Sequence, residues 1–479
     1  MSASDIFSIM VDCLWYIAFV LIIAVGVYCT VKLKGVQFTH LREMCHITFS
    51  EGREHAKGMI SSFQVFCMSM GSRIGVGNIT GPILAIIVGG PGAILWMWVF
   101  ALIGMATSFV ETIIGQIYKE PKENGGFRGG PAYTVTKGAS KKKLGALVGV
   151  IMILMYLVGY VSMEAVSMSE SVGGVFSGEN TSLIFAIVLT VLVAIIIFGG
   201  VYRVADLSVK IVPAMAIIWF VICIVSILFN GNVWLAFKSI FEYAFVTPET
   251  ACNAFIGGVV GSFFMEGMKR GVWSNEAGIG TITNLSSMAD VKHPVTQGYS
   301  QCLGVLLDVI VSTMSALVIL SFADFDSLAN MYMSADIGGQ SIVLLQSIFG
   351  NIYGNAASWI VMIFMIVFAL TCLMSDYVIA ETNLMVVKDS KAATMAMRLL
   401  LLAVVFISAY IAKDEVAVVV DLMLATCAFV NTYVFIRLSK RAFEAYDDYK
   451  KQKAAGIEEP VFHKSCLSGD TENINAWDD

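Results

Sequence analysis

The sequence predicts an all-α polytopic membrane protein with about 11 transmembrane helices. Three observations predict it. Of 479 residues, 57% are hydrophobic and only 14% are charged, against roughly 25% charged in an ordinary soluble domain. Apolar segments recur that are long enough, at about 1.5 Å per residue, to cross a hydrocarbon core of ~30 Å. Lysine and arginine collect in every second connecting loop, the pattern of the positive-inside rule.

In chain order the candidate spans are 6–31, 60–86, 90–117, 145–172, 182–200, 206–229, 251–268, 297–321, 356–387, 396–412 and 416–438. The first follows Met1-Ser2-Ala3-Ser4-Asp5 without a basic stretch and outruns a signal-peptide core, so it reads as a retained helix. Segment 38–58 mixes His40, Arg42, His46, Arg53, His55 and Lys57 with apolar residues, which suits an amphipathic connector lying on the membrane surface. Gly89-Gly90-Pro91-Gly92 cannot continue a helix and makes a tight turn, leaving Trp96 and Trp98 near headgroup level. The tail after about Lys440 is polar and reads as a short helix followed by disorder.

The basic loops hold Lys32 to Lys57, Lys119 to Lys143, Arg203 with Lys210, Lys269 and Arg270 with Lys292, Lys388 to Arg398, and Arg437 to Arg441. Assigning them to the cytoplasm puts the N-terminus outside and the C-terminus inside, in a cell membrane expected to be the bacterial inner membrane. The ten cysteines include no CxxC pair, so no disulfide framework or zinc site is indicated. The net charge of -6 offers nucleic acid no basic face. No catalytic motif points to an enzyme, and no filter motif points to a channel.

Residues 71–82, Gly-Ser-Arg-Ile-Gly-Val-Gly-Asn-Ile-Thr-Gly-Pro, sit inside the second span yet make a poor helix. Each glycine costs a helix interior roughly 1 kcal/mol relative to alanine, and an arginine at mid-bilayer costs ~3 kcal/mol more. Irregular backbone survives at that depth only where it is buried in protein or lines a cavity. A second glycine-interrupted run, Ala254 to Phe264, opens the seventh span. Without the first helix, ten spans remain, in two groups of five of opposite orientation, each opening on a broken segment. Paired breaks of this kind mark the binding site of a secondary transporter. The chain thus divides into an extra helix and connector (1–59), two five-helix repeats (60–229 and 230–438) and a cytoplasmic tail (439–479).

Three blocks carry a family resemblance. They are Gly75-Val76-Gly77-Asn78-Ile79-Thr80-Gly81, Gly89 to Trp98 with Gly104-Met105-Ala106, and Arg270-Gly271-Val272-Trp273-Ser274-Asn275-Glu276-Ala277-Gly278-Ile279-Gly280 with His293-Pro294-Val295. Together they resemble the signature of the alanine or glycine:cation symporter (AGCS) family over about Phe63 to Arg437. The resemblance implies uptake of a small neutral amino acid coupled to sodium, or to protons, with sodium as coupling ion and no cofactor. It also implies a LeuT-like 5+5 inverted repeat preceded by one extra helix. The chain is expected to work as a monomer.

For an amino acid zwitterion, freed N–H groups at a half-helix N-terminus can receive the carboxylate, and Gly75, Val76 and Gly77 are placed to do so. Asn78 offers an oxygen to substrate or cation, or glues two helices together. Gly257, Gly258, Gly261 and Ser262 would form the other half-site, with Phe263 or Phe264 as an apolar wall and Tyr156 and Tyr160 closing the pocket. By resemblance, sodium would bind the carbonyls of Gly71 and Ile74, the Thr371 hydroxyl and Cys372. The chain departs from the family's ninth span, F-A-F-T-T-x-x-G-W-S-Y-Y-G-E, in reading Phe368-Ala369-Leu370-Thr371-Cys372-Leu373-Met374-Ser375-Asp376. Cys372 replaces a hydroxyl residue. Asp376 replaces a tryptophan where substrate is expected, so it could serve a more polar amino acid such as glutamine or serine, bind a cation, or pair with Arg73. Asp308 is a second candidate partner for Arg73. Glu111, Glu164 and Asp421 also need partners inside the membrane. The Ser274-to-Gly278 block follows Lys269 and Arg270, which places it on the cytoplasmic side, as an inner gate outside the central site.

Overall fold

Apolar segments in lipid must satisfy their backbone N–H and C=O groups internally, and the chain is accordingly helical almost throughout. The computed structural model describes residues 3–50, 52, 58–123, 125–244, 259–322, 337–411 and 417–477. Helix α1 (Ala3–Lys32) leads into the connector helix α2 (Leu41–Phe49). Then come α3 (Ser62–Arg73), α4 (Gly77–Gly89), α5 (Ala93–Ile117) and a small hairpin, β1 (Glu120–Pro121) with β2 (Phe127–Arg128). The first half closes with α6 (Lys142–Gly173), α7 (Thr181–Ile197), α8 (Gly200–Asn230) and α9 (Val233–Ala244). The second half holds α10 (Val259–Asn275), α11 (Thr283–Ser286), α12 (Pro294–Phe322) and α13 (Ile337–Tyr353). It ends with α14 (Ala357–Val387), α15 (Lys391–Ile411) and α16 (Ala417–Ala454).

Among the described residues, nine helical stretches are long and apolar enough to cross a membrane, α3 counting with α4 and α13 with α14. Of the two expected spans outside that number, α7 is apolar but only 17 residues long, and 251–268 lies partly outside the described residues, its described part falling on α10. The connector is amphipathic as its composition predicts: Met44, Ile47 and Thr48 are buried, and Thr48 donates to Ser300 Oγ at 3.1 Å.

Two helices are interrupted inside the bundle. The first opens with a capping box in which Ser61 and Gln64 satisfy each other's backbone N–H groups. It stops at Arg73 and resumes at Gly77, where the sequence predicts the break. The second runs to Asn275, turns through 276–282 and resumes as α11. This second break lies beyond the run expected to carry it. Gly257 and Gly258 fall outside the described residues, and Gly261, Ser262 and Phe263 lie within α10. A helix can absorb glycine alone at roughly 1 kcal/mol each; diverting the chain takes turn chemistry. Asn275 Oδ1 accepts from Ala277 N at 2.9 Å. Gly278 and Gly280 then adopt φ of +88° and +82°, with Ile22 and the Asn431 side chain where a Cβ would stand.

The position of the break also splits one of the basic loops. Lys269 pairs with Asp12 near the start of α1 at 2.9 Å, and Arg270 lies against Gly81 of α4. Lys292 lies at the opposite end of the bundle, paired with Glu459 of the tail. Lys269 and Arg270 therefore do not belong with Lys292.

The tail does not end in disorder after a short helix. Helix α16 continues to Ala454, and residues 455–477 fold back over the end of the bundle. Phe462, Leu467 and Ile474 are buried there. Phe462 N donates to Lys292 O at 2.9 Å, and Trp477 Nε1 donates to Gln116 O at 2.9 Å. Lys119, 1% exposed, donates to Ala289 O at 2.9 Å, and its Nζ stands 3.9 Å from the Phe127 ring centre and 4.5 Å from that of Trp477. A few apolar side chains thus anchor an otherwise polar segment.

His293 lies under this tail, against Phe462 and Tyr449 and 3.5 Å from Asp448. Burial pushes its imidazole down from 6.5 to about 4, although Asp448 opposes the shift. Its folded pKa is depressed, so the unfolded chain binds the proton first. Stability conferred here is complete above pH 6.5 and is lost as pH falls toward 4. Thermal unfolding in detergent should show an acid loss in this window that His293→Asn flattens. Trp477→Ala should lower stability by roughly 1–2 kcal/mol and expose the tail to limited trypsin digestion.

Candidate functional site

The two breaks meet. Arg73, the last residue of α3, is 2% exposed and carries its charge into the bundle. Its Nε donates to Asn275 O at 2.9 Å, at the end of α10. Its other nitrogens donate to Gln301 Oε1 at 2.8 Å, Gln301 O at 3.3 Å and Ser108 Oγ at 3.1 Å. Neither Asp308 nor Asp376 is its ion-pair partner: among the described residues no carboxylate lies within 4.0 Å of the guanidinium. Neutral oxygens in fixed positions hold it, which leaves those carboxylates for other work.

Glu276 ties the breaks together a second time. Its Oε1 accepts from Ser72 Oγ at 3.2 Å. Its Oε2 accepts from Tyr156 Oη at 2.8 Å and from Thr281 Oγ1. Tyr156 belongs to a π-helical stretch, Met155–Tyr160, in the middle of α6. Such stretches are rare and frequent at functional sites; here the wider turn brings Tyr156 and Tyr160 onto one face, stacked 5.1 Å apart. A third tie comes from Asn431, which donates to Gly278 O at 2.9 Å and to Glu111 Oε2 at 3.0 Å.

A cavity of about 480 Å³ opens at this junction, bordered by Gly75, Val76 and Gly77 from the first break and by Ser274 and Glu276 from the second. Tyr160 and Glu164 of α6 and Cys372 and Asp376 of α14 complete its inner wall. Among the described residues the N–H groups of Val76 and Gly77 find no acceptor, and nothing stands within 4 Å of the position a Gly77 Cβ would occupy. Both residues sit at the N-terminus of α4 and border the cavity, an arrangement suited to an anion. Gly75 differs, because its N–H donates to Asn78 Oδ1 at 3.0 Å. Asn78 is itself fully committed: its Nδ2 donates to Asp308 Oδ1 at 2.6 Å and to Ser312 Oγ at 2.9 Å. It fixes the turn and α12 together and does not border the cavity.

The other predicted residues fall as follows. Gly71 packs against α14, where a Cβ would meet Ser375 Oγ and Thr371 O at 3.3 Å. Thr371 Oγ1 donates to Phe368 O at 2.8 Å in its own helix, and Cys372 Sγ donates to Ser72 O at 3.6 Å. Gly71, Thr371 and Cys372 thus belong to one junction between α14 and the end of α3, and Ile74 is the buried C-cap of α3. The sequence does not reveal the central place of Ser274 and Glu276. The nearby Lys269 and Arg270 point to a loop, while the better signal is the Asn-x-x-Gly-x-Gly turn chemistry of Asn275 to Gly280. Ser274 donates to both oxygens of Asp308, at 2.9 and 2.8 Å. Trp273 Nε1 donates to Asp421 Oδ1 at 2.9 Å.

The chain is similar to known proteins over nearly its whole length. The family model described as the sodium:alanine symporter family matches residues 1–464. The chain is 35% identical over 472 residues to the probable sodium/glutamine symporter GlnT of Bacillus subtilis, covering 97% of this chain and 94% of that protein. It is 34% identical to the amino-acid carrier protein AlsT of the same organism, over 98% of this chain and 96% of that one. It is 31% identical to the sodium/proton-dependent alanine carrier protein of Bacillus sp. PS3, over 88% and 94%.

A Cβ at Gly75 would stand 2.4 Å from Cys372 Sγ but 3.8 Å from Cys372 Cβ. Gly75→Ala should therefore lower the thermal midpoint of the purified protein, and adding Cys372→Ala should restore most of the loss. Arg73→Met should cost roughly 3 kcal/mol or more by stranding the acceptors that converge on the guanidinium; denaturation in detergent measures it.

Proposed function

Because the chain belongs to the sodium:alanine symporter family, we propose that it takes up a small neutral amino acid of the alanine and glycine class together with sodium, by alternating access at its paired breaks. It is a multi-pass membrane transporter and not an enzyme. The observation that carries the reading is the cavity where Gly75, Val76 and Gly77 face Ser274 and Glu276. In it the substrate carboxylate takes the N–H groups of Val76 and Gly77 at the positive end of α4. Sodium takes the carbonyls of Gly71 and Ile74 with Thr371 and Cys372, whose sulfur is a poorer ligand for a hard cation than a hydroxyl oxygen. Gly258 lies outside the described residues, and Gly261, Ser262 and Phe263 belong to α10, before the second break.

In this reading the helices after α1 form two inverted five-helix repeats, which rock about the residues that join the breaks. The N-terminus is outside and the tail inside a bacterial plasma membrane, with the monomer as the working unit. Asp376 favours a second reading of substrate, a more polar amino acid, because a carboxylate is a poor wall for a methyl group. Protons as coupling ion remain the companion reading for the same carboxylates.

Uptake of labelled amino acids into proteoliposomes, with and without an imposed sodium gradient, tests the proposal. Concentrative uptake that collapses with the gradient supports it; equilibration indifferent to the gradient sinks it. Within that assay Cys372→Ser, by supplying a hydroxyl, should lower the sodium concentration for half-maximal uptake. Thr371→Val should raise it about tenfold, the effect of ~1.4 kcal/mol.

A further inference from the structure

The carboxylates around the cavity are not equivalent. Glu276 is engaged by Ser72, Tyr156 and Thr281, Asp308 by Asn78 and Ser274, and Asp421 by Trp273. Glu164 and Asp376 differ. Both are buried, Asp376 at 3% exposure, and both border the cavity, yet Glu164 Oε2 and Asp376 Oδ2 have no hydrogen-bond donor among the described residues. The hydroxyl of Tyr160, on the same wall, also lacks a partner. The nearby buried cation, Arg73, is turned toward Asn275, Gln301 and Ser108 and cannot answer them.

Their placement relative to the first break is defined. Glu164 Oε1 stands 3.5 Å from the position a Gly75 Cβ would take, and Cys372 Sγ lies on the same spot. Asp376 follows Cys372 by one helical turn and shares its face of α14. The two carboxylates therefore flank the unwound backbone from α6 and α14. A ligand held by its own carboxylate at Val76 and Gly77 would direct its side chain into acceptors without donors. A buried acceptor left unpaired costs the full desolvation penalty of the group, and a ligand that supplies the donor recovers it. A methyl side chain cannot.

We propose that Glu164 and Asp376, with Tyr160 beside them, form a side-chain subsite that accepts hydrogen bonds from a nitrogen-bearing terminus, a carboxamide or an ammonium group, on the transported amino acid. This rests on the symport reading above and deepens it. The volume of about 480 Å³ leaves room for such a side chain. Selectivity follows from what each substrate leaves unpaired: a site built to hydrogen-bond a polar group rejects the analogue lacking it far more strongly than it rejects a missing methylene.

The test is competition against a labelled tracer amino acid in proteoliposomes under a sodium gradient. Glutamine, lysine and homoleucine, the apolar isostere of glutamine, serve as competitors. The expected result is that glutamine or lysine outcompetes homoleucine by about tenfold or more, the winner telling carboxamide from ammonium. Asp376→Val and Glu164→Met should each bring the ratio toward one, while Asp376→Asn, which keeps an acceptor, should retain part of it. Equal competition by all three with sodium-driven uptake intact overturns the subsite and leaves symport standing. An unchanged ratio in Asp376→Asn and Glu164→Gln, with only the sodium or pH dependence moved, also overturns it, assigning the pair to the coupling ion. Absence of sodium-driven uptake of any amino acid overturns both proposals.

Discussion

The buried guanidinium of Arg73 is the constraint around which the bundle is arranged. An arginine at this depth is tolerable only if its donors meet acceptors that cannot move away. Those acceptors come from α5, α12 and the end of α10. The first break supplies the charge and the second supplies a backbone carbonyl to receive it. Helices separated by some two hundred residues are held at one point, and the unwound backbone on both sides is buried in protein as the membrane requires.

Once Arg73 is satisfied by neutral oxygens, the carboxylates near it are released for other roles. Asp308 binds Asn78 and Ser274, so it locks each break to α12. Glu276 spans Ser72, Tyr156 and Thr281, so it links both breaks to the π-turn of α6. Glu164 Oε2 and Asp376 Oδ2, which have no donor among the described residues, belong to side chains that border the cavity. Two buried carboxylate oxygens without a donor on the cavity wall leave a place for a ligand's donors.

The tail belongs to the same economy at the other end. Residues 455–477 contact the end of α5 through Trp477 and the segment after α11 through Phe462. The second arm of the second broken helix is thereby joined to α16 and α5. Its composition reads as disordered because polar residues dominate; four apolar side chains, Phe462, Leu467, Ile474 and Trp477, outweigh that average once a receiving surface exists.

The amino-acid sequence by itself determined the class, the apolar spans, the family and the first break, because composition, span length and a run of glycines around Arg73 are local properties. Gly75, Val76 and Gly77, singled out in that run, and Cys372 and Asp376, singled out by departure from the family pattern, all border the cavity. Charge placement misled where two basic residues, Lys269 and Arg270, lie inside a broken helix and not in a loop, and this hid Ser274 and Glu276. Only the tertiary structure decided which carboxylate meets which donor, that Asn78 is consumed by Asp308, and that Arg73 needs no acidic partner. Hydrogen-bond pairing among buried groups depends on helices far apart in the chain, and no local pattern encodes which of several similar acceptors will be nearest.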